Sequence, residues 1–292
     1  MGTKPYRKLV AQRLSRDFQS AIDVVEVDAP QAAAQQIVIC NRFAGVKAGF
    51  DTLLCRGEVP YVNLQPPFDL GVEAVGQVVT IGAGVTGFTV GDAIATTVRG
   101  GGYREYQVID ADRAIKILEA NPEILTLMPT GISALVGLEQ VGEMGSGETI
   151  LITAAAGGIG HIAVQLAKLA GNHVIGTCGS EAKGQLLEAL GCDRVINYRQ
   201  ESVRDVLSKE YPNGINLVFN CVGRYMFDAG VEHLAVRGRF VIVGFISEYG
   251  QSLLPTRWAK LVNYLLLLLS SSMVWSHRYS RFGCITKRRT MA

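Results

Sequence analysis

At 292 residues and 48% hydrophobic side chains, the chain holds enough apolar material for one large core or two modest ones. Charged residues are 18% and the formal net charge is +2, so no strong field recruits nucleic acid or acidic partners, and no nucleic-acid partner is expected. Six cysteines (Cys40, Cys55, Cys178, Cys192, Cys221, Cys284) lie far apart with no CxxC pair, which points to a reduced intracellular protein and excludes a disulfide scaffold. The first residues carry charge but no apolar signal region. Tyr6 stands where a myristoylation signal wants Ser or Thr, and Thr290-Met291-Ala292 matches no peroxisomal or endoplasmic-reticulum address, so the cytoplasm is the expected compartment.

From Tyr6 to about Ile117 the pattern is β-rich. Residues 22–27, 35–40, 72–81, 92–97 and 106–109 read as strands separated by Gly, Pro and Asp turns, with Pro60, Pro66 and Pro67 in an irregular loop. Cys40 reads as a buried strand residue and Cys55 as a loop or helix thiol. A boundary is expected near 118–130, where Asn121-Pro122 starts a helix. The division is therefore a β-rich lobe over 1–125, an α/β domain over 126–250 and a tail over 251–292.

The α/β domain opens on Ile150-Leu151-Ile152, a buried strand, followed by Ala154-Ala155-Ala156-Gly157-Gly158-Ile159-Gly160. Ile162, Ala163, Leu166, Ala167 and Ala170 then recur at helical spacing. Strand, glycine-rich turn and helix in that order are what a phosphate-binding turn requires. Small residues at Ala155 and Gly157 admit a pyrophosphate, Gly160 lets the helix pack on its strand, and the helix N-terminus offers free N–H groups.

The second strand, 173–177, ends in Cys178-Gly179-Ser180, with Lys183 a turn later. An NAD site usually places a carboxylate on the ribose hydroxyls about 20 residues past the glycines. A small hydroxyl-bearing corner with a nearby cation suits a 2′-phosphate instead, so NADPH is favoured over NADH. Ser180 also reads as a helix N-cap, Lys183 as a solvated lysine, and Glu181 is the residue that could restore NADH. Helices 181–190, 201–210 and 225–234 then alternate with strands 194–198, 215–220 and 239–244, which implies a parallel sheet covered on both faces.

The tail is uncharged through a five-leucine run, Leu265 to Leu269, and ends basic with Lys287-Arg288-Arg289. Its apolar stretch is shorter than the ~20 residues of a spanning helix, so no membrane partner is expected. A short apolar helix packing on the sheet, in place of a further strand, is expected ahead of an anchor, and a tail from an alternative or incorrectly spliced transcript, which costs the sheet its last strand, is expected ahead of both.

These motifs, with Asn41-Arg42-Phe43-Ala44-Gly45-Val46, Pro67-Phe68-Asp69-Leu70-Gly71-Val72-Glu73, Val90-Gly91-Asp92, Gly191-Cys192-Asp193-Arg194-Val195-Ile196-Asn197-Tyr198 and Gly244-Phe245-Ile246-Ser247-Glu248-Tyr249, resemble the medium-chain dehydrogenase/reductase superfamily. Within it the chain most resembles the zinc-free quinone oxidoreductases and 15-oxoprostaglandin 13-reductases, over roughly residues 8–250. The resemblance implies an α/β protein with a GroES-like β-rich lobe for substrate and a Rossmann doubly wound parallel sheet for NADPH. Where zinc-dependent relatives read Gly-His-Glu, this chain has Gly71-Val72-Glu73, and valine cannot ligate, so no zinc is expected.

Carried over residue by residue, the resemblance implies that Gly157, Gly158, Ile159 and Gly160 line the pyrophosphate. Gly179, Ser180, Lys183 and Tyr198 surround the 2′-phosphate. Cys221, Val243 and Tyr249 flank the nicotinamide side, and Ser133 stands for a threonine more usual in its segment. The implied reaction is direct hydride transfer to an α,β-unsaturated ketone, with Tyr249 or the cofactor's ribose hydroxyl stabilising the enolate oxygen. A quinone is the alternative electrophile, and a non-catalytic NADPH sensor the alternative role. Lys47 and Asp51 depart from the family's usual Asn-x-x-Asp, with Lys47 readable as a surface lysine. Past Gly250 the chain departs again, which puts the family's homodimer in doubt.

Overall fold

The computed structural model describes residues 5–59, 62–244, 247 and 285–288. The chain divides into two compact units, Met1–Thr130 and Gly131–Ala292.

The first unit is antiparallel. Strands β1 (Tyr6–Ala11), β2 (Ile22–Val27) and β4 (Phe68–Asp69) form a small sheet in the order β2-β1-β4, with the short helix α1 (Phe18–Ala21) between β1 and β2. A five-stranded sheet takes β3 (Gln36–Ala44), β5 (Ala74–Ile81), β6 (Ala93–Thr96), β7 (Tyr106–Asp110) and β8 (Ile115–Lys116) in the order β7-β3-β5-β6-β8. Its core gathers Ile37, Ile39, Val78, Ile94 and Ile109, β-branched side chains that fit a pleated buried face. Helix α2 (Ala48–Arg56) follows β3 and stops at Gly57, whose positive φ of 68° lets its N–H close on the Leu53 and Leu54 carbonyls. Cys55 is buried on this helix, whereas Cys40 is only half-buried rather than a core residue.

Helix α3 (Glu123–Thr126) leads through wider turns, with non-helical backbone at Met128, to α4 (Ile132–Leu135). The run Glu123–Val141 is long and apolar enough to cross a membrane by length and composition. Part of its apolar surface enters protein cores: Leu125 and Met128 pack with Val75 and Ala95, and Ala134 and Leu138 enter the core of the second unit, while Leu127, Ile132 and Leu135 are exposed.

The second unit is built on a sheet of β9 (Thr149–Ile152), β10 (His173–Cys178), β11 (Arg194–Asn197), β12 (Ile215–Asn220), β13 (Leu234–Ile242) and β14 (Ile285–Arg288), in the order β11-β10-β9-β12-β13-β14. The first five run parallel. Helices α5 (Gly160–Leu169), α6 (Glu181–Ala189), α7 (Val203–Glu210) and α8 (Arg224–Glu232) connect them. One core holds Ala163, Val164 and Ala167 of α5 against Ile150, Ile152 and Phe219. The other holds Val203, Val206 and Leu207 of α7 with Met226 and Ala229 of α8 against Leu151, Ile175 and Val218. The expected doubly wound sheet is therefore present.

Two features depart from the sequence reading. The last parallel strand begins at Leu234 instead of 239, because Arg237 adopts φ 64° and a register shift lets Leu234 pair with Ile215. The basic end of the tail, to which the sequence reading assigned no element, supplies β14, which pairs antiparallel with β13 and satisfies its open edge. The apolar helix expected around the leucine run lies outside the described residues.

Candidate nucleotide-binding site

The order β11-β10-β9-β12 reverses direction between β9 and β12, so a crevice opens beyond the C-terminal ends of these two strands, where doubly wound sheets bind ligands. The glycine turn follows β9 directly into this crevice. Ala154 takes a positive φ of 50° and donates its N–H to Thr177 Oγ1 at 3.1 Å, while the Ala155 N–H reaches the Thr177 carbonyl at 2.9 Å. The Gly157 N–H closes the turn on the Ala154 carbonyl at 2.8 Å. A Cβ at Gly160 would run into the Ala154 carbonyl and come within 2.7 Å of the Ala155 carbonyl, so only glycine lets α5 begin this close to the turn. The amides of Gly158, Ile159 and Gly160 stand at the helix start, where no preceding helical carbonyl can take them and the dipole favours an anion.

Beside the turn lies a cavity of about 340 Å³, within the range of small-molecule sites. Four of the sequence-chosen residues line it: Gly157, Gly179, Lys183 and Tyr198. Tyr198, which follows β11, lays its hydroxyl against Gly179, and a side chain there would collide with it. Ser180 occupies the N-cap position of α6, yet its side chain makes no capping hydrogen bond. Its hydroxyl is exposed, as are Lys183 and Glu181. No carboxylate stands at the end of β10, whose last residue is the buried Cys178.

The far wall is organised by Asn220 at the end of β12. Its Oδ1 accepts from Thr153 Oγ1 at 3.0 Å and from the Val222 and Gly223 amides at 2.9 and 3.1 Å. The Cys221 amide donates to Thr153 Oγ1 at 2.9 Å, which ties the ends of β9 and β12 together across the crevice. Asn220 Nδ2 is left buried without a partner. Val222, Tyr225 and Met226 complete the cavity, and the sequence reading missed all three. The rule that loops beside the switch point line the site would have found them. Ser133, Ser180, Cys221 and Val243 are not among the lining residues, nor are Gly158, Ile159 and Gly160. Val243 donates its amide to the Asn220 carbonyl at 2.8 Å and packs on the core. Tyr249 lies outside the described residues.

The first unit carries a second polar cluster. Lys47 Nζ sits 2.7 Å from Glu73 Oε1, so it is not the surface lysine its sequence suggested. The Tyr103 hydroxyl donates to Asp51 Oδ2 at 2.5 Å. Burial pushes Glu73 and Asp51 above the ordinary carboxylate range, opposed by Lys47 at Glu73 and by the Tyr103 hydrogen bond at Asp51. Burial, aided by the neighbouring Asp51, also raises Tyr103 and pushes Cys55 to about 11. Among the described residues, no group of three His, Cys, Asp or Glu side chains is arranged to hold a metal.

Comparison with known proteins agrees with this architecture. Residues 33–119 match the alcohol dehydrogenase GroES-like domain and residues 158–285 the zinc-binding dehydrogenase domain. The donor set does not fit the metal that the second name carries, since Val72 offers no ligand atom and Glu73 holds an ammonium. A probable quinone oxidoreductase of Leishmania amazonensis is 43% identical over 246 residues, covering 84% of this chain and 72% of that protein. Prostaglandin reductase-3 of Mus musculus is 43% identical over 245 residues, covering 83% of this chain and 64% of its own length. The quinone oxidoreductase of Escherichia coli, solved in complex with NADPH, superposes with a TM-score of 0.75 at 26% identity, covering 88% of this chain and 78% of that one. The chain belongs to the medium-chain dehydrogenase/reductase superfamily, in its quinone oxidoreductase-like branch. It spans just under two thirds, 64%, of the length of the prostaglandin reductase-3 proteins it matches.

Proposed function

We propose that the chain is an NADPH-dependent reductase of α,β-unsaturated ketones, with quinones as the alternative electrophile. The observation that carries this reading is the corner formed by Gly179, Lys183 and Tyr198 beside the glycine turn, which offers a cation and a hydroxyl where an NADH site would place a carboxylate. The relatives support it. Besides prostaglandin reductase-3 and quinone oxidoreductases, (+)-pulegone reductase of Mentha piperita is 37% identical over 121 residues.

In this reading Gly157, Gly158, Ile159 and Gly160 hold the pyrophosphate with backbone amides. Lys183, Ser180 and Tyr198 hold the 2′-phosphate over Gly179. Asn220 keeps the wall at Cys221 in place, while Ser133, Val243 and Tyr249 serve the nicotinamide side. Bound NADPH supplies a hydride to an electron-poor carbon. The protein's part is to orient, to exclude water and, through the Tyr249 hydroxyl, to meet the oxygen that gains charge. The same reading takes the β-rich unit as the substrate lobe, the cytoplasm as the compartment and a small molecule as partner.

The test is titration of the purified chain with NADPH and NADH by cofactor fluorescence, with an enone and a quinone added in turn. NADPH binding followed by electrophile-dependent loss of fluorescence is the expected result. Binding without loss would favour the sensor role, and preference for NADH would overturn the 2′-phosphate corner.

A further inference from the structure

The first unit holds a cavity of about 300 Å³ of its own. Leu64, Phe68, Val98 and Val108 give it an apolar wall. Facing them are Asp69, Arg99, Arg104 and Gln107.

Backbone pairing assembles the charged side. Val10 and Ala11 of β1 pair with Asp69 and Phe68 of β4, and Lys8 bridges to Arg104, so Lys8, Asp69 and Arg104 converge. The turn 98–101 is pinned by the Gly100 amide on the Gly71 carbonyl at 2.7 Å and by the Gly101 amide on the Val98 carbonyl at 2.9 Å. Gly100 has φ 80°, and a Cβ there would come within 2.9 Å of Asp69 Cβ. Glycine is what brings this turn, and Arg99 with it, against the corner. Gln107 is 1% exposed and donates Nε2 to Asn41 Oδ1 at 2.7 Å, while Asn41 Nδ2 holds the Gly101 and Arg104 carbonyls at 2.8 Å each. A satisfied amide network of this kind fixes the corner before any ligand arrives.

The corner is short of acceptors. Asp69 is the one carboxylate among the lining residues, already held by Lys8 at 2.7 Å and by Arg104 Nη2 at 3.0 Å. Glu105, the next residue, is taken up by Arg7 at 2.6 Å. Three cations, Lys8, Arg99 and Arg104, therefore share one anion. Arg104 Nε is buried without a hydrogen-bond partner. Arg99 is exposed and, among the described residues, has neither an ion-pair nor a hydrogen-bond partner. Unmet donors call for an acceptor, and the planar fork of a guanidinium matches the two oxygens of a carboxylate.

We propose that this cavity binds a small carboxylic acid as its anion, with the carboxylate at Arg99 and Arg104 and a short apolar body on Leu64, Phe68, Val98 and Val108. The apolar wall disfavours inorganic phosphate, all of whose oxygens seek donors. The volume places the ligand at the small end of what such sites hold. Every group invoked belongs to the first unit, so the site stands whether or not the chain is a reductase.

The experiment uses the full chain and three probes: hexanoate, hexan-1-ol with the same tail and no charge, and inorganic phosphate with charge and no tail. Binding is read by calorimetry and by NMR shifts of the Leu64, Val98 and Val108 methyl groups. Arg99→Ala removes an exposed side chain that the fold does not use, and Arg104→Lys keeps the charge without the fork. Hexanoate should bind the wild type and shift these methyls, with affinity about tenfold weaker in each variant. Hexan-1-ol and phosphate should bind the wild type about tenfold more weakly than hexanoate, or less. Absence of hexanoate binding, or the same affinity in wild type and Arg99→Ala, overturns the proposal. Equal binding of hexan-1-ol or of phosphate overturns the carboxylate assignment. Shifts at Val222 and Met226 in place of these methyls would put hexanoate in the nucleotide cavity and overturn the site.

Discussion

Tyr198 and Gly179 meet face to face: the tyrosine hydroxyl occupies the space in which any side chain at Gly179 would lie. The end of β10 and the residue after β11 are thereby joined into one corner of the cavity, and the absence of a side chain is what admits the ring. Gly179→Ala should push the Tyr198 ring outward and weaken NADPH binding by roughly tenfold, a loss of about 1.4 kcal/mol. Unchanged affinity on fluorescence titration would remove Tyr198 from the cofactor corner.

Lys183 lines the same cavity and is exposed. A hydrogen bond to a charged group contributes about 1.5–3 kcal/mol, so Lys183→Ala should cost NADPH roughly tenfold or more and leave NADH unaffected. The NADPH loss should shrink as salt is raised, because an exposed cation is screened. Equal losses for both nucleotides would mean that Lys183 does not read the 2′-phosphate.

Gly160 tests the turn itself. An alanine Cβ would press on the carbonyls of both Ala154 and Ala155, backbone atoms that cannot step aside. Overpacking of this kind costs about 1–3 kcal/mol. Gly160→Ala should therefore lower the denaturant midpoint without changing the slope, and reduce affinity for both nucleotides alike.

Arg239 on β13 forks onto Glu148, with both contacts at 2.7 Å, and its Nε donates to the Gly142 carbonyl. Burial raises Glu148, but the Arg239 hydrogen bonds, the Gly145 amide and the Arg239 charge together outweigh it, and the carboxyl sits below its ordinary range. A depressed carboxyl contributes stability that is complete above its unfolded value and is lost as pH falls through the folded one. Arg239→Met strands a largely buried carboxylate and should cost about 3 kcal/mol at neutral pH. The penalty should fade in acid, as urea titrations at pH 7 and pH 4 would reveal.

Asp51 has the opposite sign. Burial, opposed by Tyr103 and Lys47, holds it above its ordinary value, so its contribution is complete below the unfolded pKa and declines as pH rises through the folded one. Asp51→Asn keeps an acceptor for Tyr103 and removes the charge. The variant should lose stability less steeply than wild type between acid and neutral pH, and parallel curves would contradict the assignment.

The nucleotide turn was legible because its signal is local: an apolar strand, small residues and a helical stripe follow one another within about 20 residues. Lys183 and Tyr198 were within reach as well, Lys183 as the cation one turn past the second strand and Tyr198 through the family resemblance. Lys47 was not. Its partners Glu73 and Tyr103 lie 26 and 56 residues further along the chain. A lysine beside Ala48 and Gly49 looks solvated until the β3–β5 ladder delivers Glu73 to it.

What the sequence determined by itself is the order of elements, the two-unit grammar and the chemistry of the glycine turn, because strand and helix periods and glycine stereochemistry are properties of neighbouring residues. Tertiary structure alone decided that Asn220 ties β12 to Thr153, that Tyr225 and Met226 complete the cavity and that Ile285–Arg288 pairs with β13. It alone decided that Lys47 faces a buried carboxylate. Each of these is a pairing between distant segments, and burial, which sets the energetic weight of a charge, exists only once those segments have met.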